Sequence, residues 1–168
     1  MIKRENVIFY FIDNEFYFNR PTLYGQFDDA ERFAFFCMAT MELMQRLNYF
    51  PDVLHAHDWH TALSVVYLNC IYRGRPGYRD IKTVFTIHNI EYQGKYSLDI
   101  LEDLFGISNS DAYLLEFNGC INLMKGAIEC CERFSTVSPT YAKEIQTAQY
   151  AHGLQDIIRK NDFKLTGI

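Results

Sequence analysis

The chain has 168 residues, of which 49% are hydrophobic and 16% aromatic, so it is long enough for one buried core and shows no disordered or collagen-like bias. Its formal net charge of -5, with scattered Lys and Arg, argues against nucleic acid as a partner, because binding to phosphate backbones depends on clustered cations. Five cysteines in no Cys-x-x-Cys spacing indicate reduced thiols of a cytoplasmic protein, and the apolar runs are too short for a membrane span.

The N-terminal third predicts a strand, a loop and a long helix. The apolar run over residues 7–12 is typical of a buried strand, and the polar and aromatic stretch over 13–27 is typical of a loop. Asp28, with Glu31 three residues later, has the capping-box spacing and precedes an amphipathic run that reaches residue 47. A capped helix therefore follows the loop.

The middle of the chain predicts a strand, a helix and a second strand. Strand 53–55 follows Pro51, Asp58 can cap the next helix, and an apolar strand over 82–87 follows the turn at 74–77.

Helical spacing returns over residues 97–105 and 119–131, so Asn118-Gly119 is interpreted as a turn between helices. A strand over 134–137 precedes Ser138-Pro139, which supplies an N-cap and a first-turn proline, and a last helix covers 154–160. Strands alternate with helices and no hairpin signal separates two strands. The sequence therefore predicts the α/β class, with a parallel Rossmann-like sheet and helices on both faces.

Two predicted strands end in polar side chains. The first end carries a His-rich run that includes His57 and Asp58, and the second carries His88 and Asn89. The carboxyl ends of parallel strands meet at one edge of a sheet, where α/β proteins bind their ligands. The two ends side by side predict a binding site.

The first strand end also allows a different chemistry. His55, His57, Asp58 and His60 are residue types that bind zinc, and a metal-dependent hydrolase is the alternative function. The run departs from the His-x-His-x-Asp-His pattern by one place, and a shift of one residue turns a side chain away from its neighbours. His55 alone is better explained as a satisfied residue inside the strand, and Asp58 as a helix cap.

The chain resembles the N-terminal half of the bacterial glycogen synthases, glucosyltransferases related to the plant starch synthases. The resemblance rests on ordered motifs over nearly the whole length. These are Phe18-Asn-Arg-Pro21, Asp28-Asp-Ala-Glu-Arg-Phe33, Pro51 to His60, Val84-Phe-Thr-Ile-His-Asn89, Tyr92-Gln-Gly94, Glu116-Phe-Asn-Gly119, Leu123-Met-Lys-Gly126 and Thr136-Val-Ser-Pro-Thr-Tyr-Ala142.

The resemblance implies one half of a GT-B architecture, in which two Rossmann-like domains face each other across the active site. It implies transfer of glucose from ADP-glucose to the nonreducing end of an α-1,4-glucan, with retained configuration and without metal or cofactor. His88 and Asp58 would be catalytic, His88 lying beside the donor glucose. The substrate-binding positions that the resemblance suggests are Trp59, Asn89, Tyr24 and Gln93.

The family's N-terminal Lys-x-Gly-Gly loop and its C-terminal nucleotide-binding domain have no counterpart in the 168 residues. We therefore expect residues 1–168 to be a partial N-terminal, acceptor-side domain that is inactive alone and self-associates through an exposed sheet edge. A noncatalytic glucan-binding domain is the remaining alternative.

Overall fold

The computed structural model describes residues 1–168 and contains a four-stranded parallel sheet flanked by helices, which confirms the predicted fold class. The strands of this sheet are β3 (Val53–His57), β4 (Lys82–Ile87), β8 (Arg133–Thr136) and β9 (Leu165–Gly167). They pair in that order across the sheet.

Seven α-helices surround or extend this sheet. They are α1 (Glu15–Phe18), α2 (Asp29–Arg46), α3 (Asp58–Tyr67), α4 (Ala112–Leu115), α5 (Leu123–Cys130), α6 (Pro139–Glu144) and α7 (Gln155–Lys160). Helix α3 packs against β3 and β4, and α2 and α5 pack against α3. None of the helices is both long and apolar enough to cross a bilayer.

Only one face of β3 is covered. Leu54 and Ala56 are buried in the core, whereas Val53, His55 and His57, which alternate with them, are exposed. This alternation follows from the two-residue period of a strand, which sends successive side chains to opposite faces. The uncovered face leads directly to the predicted site at the end of the strand.

The first predicted strand is present over Val7–Phe9, but the prediction that it is buried was wrong. The structure has β1 (Ile2–Arg4) and β2 (Val7–Phe9) paired as an exposed antiparallel hairpin, separate from the parallel sheet. The apolar run pairs with the segment just before it, and no layer of the protein covers it. The predicted 13–27 loop also contains one helical turn, α1.

The interpretation of Asn118-Gly119 as a turn between helices was wrong. These residues join β6 (Glu116–Phe117) to β7 (Cys120–Asn122), and β7 also pairs with β5 (Lys95–Tyr96) in a small antiparallel sheet. Both turn residues have positive φ, 53° and 79°, as the type I′ hairpin turn requires. Helix α5 starts only after this hairpin. The helix predicted over 97–105 is also wrong for most of its length, since the helical structure there is a 3-10 turn at Leu98–Ile100.

Two helix starts were placed within one residue but explained by the wrong contacts. Asp28 is the N-cap of α2, yet its carboxylate pairs with Arg20 at 2.7 Å and makes no cap hydrogen bond. Asp58 is the first residue of α3 and not its cap, since strand β3 continues to His57. The Ser138 cap of α6 is confirmed, because its hydroxyl accepts a hydrogen bond from the Tyr141 N–H at 3.0 Å.

A buried ion pair holds the loop between α1 and α2. The Arg32 guanidinium, 1% exposed, donates to the Tyr17 and Leu23 carbonyls at 2.7 and 3.2 Å and pairs with Asp29 at 2.5 Å. The second oxygen of Asp29 accepts the N–H groups of Gly25 and the residue after it, at 2.6 and 3.1 Å. The loop that carries Tyr24 is thereby fixed to the start of α2.

The substitution Arg32→Met is expected to lower the free energy of unfolding by about 3–5 kcal/mol, because it leaves the buried Asp29 carboxylate without its counter-ion. Urea denaturation measures the loss. Arg159→Met is the matched control, since its pair with Asp156 spans 3.7 Å at an exposed position and contributes roughly 0–1 kcal/mol. Equal losses in the two variants would contradict the assignment of Arg32 as a buried clamp.

The substitution Gly119→Ala is expected to cost about 1–2 kcal/mol, because φ of +79° forces a side chain close to the following carbonyl. Gly74→Ala is the control: at both glycines an added Cβ meets no atom within 4 Å, but Gly74 does not have a positive φ. The two thermal unfolding curves therefore isolate the backbone effect. A Gly119→Ala protein as stable as the Gly74→Ala protein would rule out the type I′ turn.

Candidate active site

The parallel pairing of β3 with β4 brings the two polar strand ends together. His57, the last residue of β3, lies opposite Thr86, and β4 ends one residue later, just before His88. Each strand is apolar on the face that contacts the core, so the hydrophobic pattern sets this register. The predicted adjacency of the two ends is confirmed.

The Asp58 carboxylate joins the two ends directly. Its Oδ1 accepts the backbone N–H of His88 at 2.8 Å and that of Asn89 at 3.3 Å. Asp58 adopts φ of +54°, an unfavourable conformation for a residue with a side chain, at the corner between β3 and α3. The carboxylate therefore fixes the backbone that follows β4, which its prediction as a helix cap did not foresee.

The imidazole of His88 contacts a residue that the carbohydrate prediction left out. Nε2 of His88 lies 3.0 Å from Nδ1 of His57, and the ring of His57 lies against that of His55, with centroids 4.2 Å apart and planes inclined by 33°. Partial burial of its ring, and secondarily the neighbouring histidines, lowers the pKa of His57, which favours its neutral form. One signal in the sequence pointed to His57: it lies two residues after His55, on the same face of one strand.

The histidine-rich run does not converge on a metal site. His55 Nε2 bonds the Thr86 hydroxyl at 2.7 Å, while Asp58 bonds backbone amides. The His60 ring packs among aromatic side chains, 4.7 Å from Phe33, and burial lowers its pKa. No three His, Cys, Asp or Glu side chains are grouped to hold an ion, so the geometry gives no support to the hydrolase alternative.

Two of the predicted substrate-binding residues are buried. Trp59 is 7% exposed and packs edge-on to Phe33, and a Cβ on Gly94 would lie 2.9 Å from its indole. Gln93 is 3% exposed; its amide donates to the Ile90 and His152 carbonyls and accepts from Asn122. In this structure both side chains make their contacts inside the protein, and their contact with substrate remains a prediction.

The other two predicted residues are accessible. Asn89 is exposed, and its side-chain oxygen accepts the Glu91 N–H at 3.0 Å. Tyr24 is 49% exposed, with its ring 5.2 Å from that of His60. Asp58, His88 and Asn89 thus form one group, whereas the ring contact of Tyr24 is with His60.

The group occupies an open surface. His88 and Asn89 are exposed, and Asp58 is half-buried. The polar groups that Asp58, His88 and Asn89 offer are a carboxylate, an imidazole and an amide, which suit the hydroxyl groups of a neutral ligand. A ligand held here would contact the protein on one side only.

Comparison with known proteins identifies the family. Residues 1–160 match the model of the starch synthase catalytic domain. The chain is 48% identical to a glycogen synthase of Streptococcus agalactiae, covering 99% of this chain and 36% of the relative, and 47% identical to one of Geobacillus stearothermophilus, covering 99% and 35%. It thus spans about a third of the length of these relatives.

A solved structure agrees with these matches. The catalytic domain of starch synthase IV from Arabidopsis thaliana, bound to ADP and acarbose, superimposes with a TM-score of 0.79 at 34% identity, covering 90% of this chain and 32% of that one. The fold, the family model and the curated relatives agree over nearly all of the 168 residues. The chain therefore belongs to the starch synthase catalytic domain family.

Proposed function

We propose that residues 1–168 are the acceptor-side part of a retaining glucosyltransferase that moves glucose from ADP-glucose to the nonreducing end of an α-1,4-glucan. The observation that carries the proposal is the joined strand end, where Asp58 fixes the backbone of His88. The names of the relatives, glycogen synthases, favour this reaction, and the ADP bound to the Arabidopsis domain favours an adenine nucleotide in the donor.

His88 is the catalytic residue of the proposal, with Asp58. Its carbonyl and ring would face the donor glucose, whose anomeric carbon gains positive charge as the bond to phosphate breaks. Preorganised dipoles stabilise such a transition state because they need no rearrangement during the reaction. Asp58 contributes by holding the His88 and Asn89 amides in place, and Asn89 and Tyr24 offer accessible polar groups for sugar hydroxyls.

The donor phosphates need cationic partners, because charge-assisted bonds supply much of the affinity for a nucleotide sugar. The contacts of Asp58, His88 and Asn89 in this structure include no Lys or Arg side chain. Glucosyl transfer therefore requires groups from the second domain of the proposed architecture, outside the 168 residues.

The purified chain is expected to bind ADP-glucose weakly and to transfer no glucose. In a nitrogen-15 NMR titration, millimolar ADP-glucose should shift the amide signals of His88 and Asn89. Labelled ADP-glucose incubated with glycogen should leave no label in the polymer.

ADP alone is the matched ligand control and should leave the His88 and Asn89 signals in place, because the glucose is what the site contacts. His88→Ala is expected to abolish the response, whereas His152→Asn should keep it, because His152 is exposed and asparagine tolerates its φ of +48°. A response to ADP equal to that to ADP-glucose, or label recovered in glycogen, would contradict the proposal.

The exposed edge of β3 supports the proposed self-association. The strand pairs with β4 on one side and has no strand on the other. Open edges pair with other chains, and a lysine at an edge discourages this. Light scattering is expected to show growing mass with concentration, reduced by Val53→Lys at an exposed position. A wild-type monomer at high concentration would refute it.

A further inference from the structure

The ring of His88 forms its side-chain hydrogen bond with another histidine. Nδ1 of His57 and Nε2 of His88 lie 3.0 Å apart, with ring centroids 5.3 Å apart and planes inclined by 41°. A neutral imidazole has one N–H donor and one acceptor nitrogen, so this contact is a hydrogen bond when one of the two facing nitrogens carries a proton. The bond occupies Nε2 of His88 and leaves Nδ1 available to a ligand.

His57 is itself held at three points. Its backbone N–H donates to the Thr61 hydroxyl at 2.6 Å, and that hydroxyl donates to the His57 carbonyl at 2.7 Å. Its ring lies against that of His55, with the planes inclined by 33°, and Nε2 of His55 is bonded to Thr86 at 2.7 Å. Thr86 is bonded to Ser135 on the next strand at 2.8 Å. The backbone of His57 is thus bonded to α3, and its ring lies against a histidine that is bonded to the sheet.

The contact depends on protonation. If both rings were protonated, each facing nitrogen would carry a hydrogen and the bond would be lost. Burial and the nearby His55 and His88 oppose protonation of His57 by lowering its pKa, while Asp58 acts in the opposite direction. When Nε2 of the exposed His57 carries its proton, the form that a free neutral imidazole side chain prefers, Nδ1 of His57 accepts from Nε2–H of His88 and so selects one tautomer of His88.

We propose that His57 is a positioning residue for the transfer reaction: it binds Nε2 of His88, fixes one tautomer of that ring and directs Nδ1 towards a hydroxyl of the donor glucose. Asp58 binds the backbone N–H of His88, and His57 binds its ring. Two consecutive residues therefore fix both the backbone and the ring of His88. This inference rests on the proposed function, because that function supplies the sugar.

Nitrogen-15 spectra of the imidazole groups test this in the intact chain, which has five histidines, each assignable from its own substitution. Nitrogen shifts report which ring nitrogen carries the proton. Wild-type His88 is expected to show a single neutral tautomer at neutral pH. His57→Phe keeps an aromatic ring but removes Nδ1, the hydrogen-bond partner of His88. It should convert His88 into a mixture of two tautomers.

Two variants separate positioning from packing. His55→Phe keeps a ring stacked on His57 and should leave the His88 tautomer unchanged. His57→Asn returns a polar amide near the position of Nδ1 and should restore a single tautomer. Far-ultraviolet circular dichroism confirms that each variant is folded.

The same samples are titrated with ADP-glucose. His57→Phe is expected to weaken binding about tenfold, which corresponds to ~1.4 kcal/mol, and His55→Phe should bind as wild type. A wild-type tautomer in His57→Phe overturns the inference, and so does an altered tautomer with unchanged affinity. A wild-type chain whose His88 signals ignore ADP-glucose contradicts the proposed function instead, and the tautomer measurement then still decides whether His57 positions His88.

Discussion

The hydrogen bonds from the His88 and Asn89 amides to the Asp58 carboxylate are the constraint on which the site depends. They join the ends of two parallel strands that are about thirty residues apart in the chain. Asp58 adopts a left-handed backbone conformation to make them, at a cost of about 1–3 kcal/mol. Hydrogen bonds to a charged group contribute roughly 1.5–3 kcal/mol each, so the two bonds can offset this strain. If these two bonds were lost, Asp58 would no longer hold the backbone of His88 in place.

The parallel sheet was predictable because each of its features has a local signal. The apolar run of β4 and the proline after Ser138 decide their own structure within a few residues. The errors occur where strand pairing in the tertiary structure decides the secondary structure of a segment. Asn118-Gly119 is a strong hairpin signal, but its flanking strands are two and three residues long, too short to show the alternation that identifies a strand. The 7–12 run reads as a buried strand, and only the tertiary structure leaves it uncovered.

The meeting of the two polar strand ends was predictable, but the direction of each side chain there was predictable only in part. Parallel topology puts Asp58 and His88 at one edge, and the sequence contains that information. It does not contain the direction of each side chain, which changes with every residue at a strand end. Trp59 and His57 are two residues apart, yet one is buried against Phe33 and the other faces His88. The buried positions of Trp59 and Gln93 follow from the packing of α3 and of the segment after β4, which no local pattern encodes.

Buried polar side chains hold the backbone of the chain, whereas the imidazoles at the two strand ends are exposed. This contrast indicates what the candidate site lacks. Arg32, Gln93 and Lys125 are buried, and each donates hydrogen bonds to backbone carbonyls of other segments. Histidines 57 and 88, in contrast, are exposed to water. Electrostatic interactions weaken in water because of its high dielectric constant, so an imidazole on an open surface stabilises a developing charge poorly. Dipoles become effective when a second surface excludes water from them. Buried side chains thus hold the backbone of this chain in place, and under the proposed function a second protein surface over His88 would be needed to exclude water from its ring.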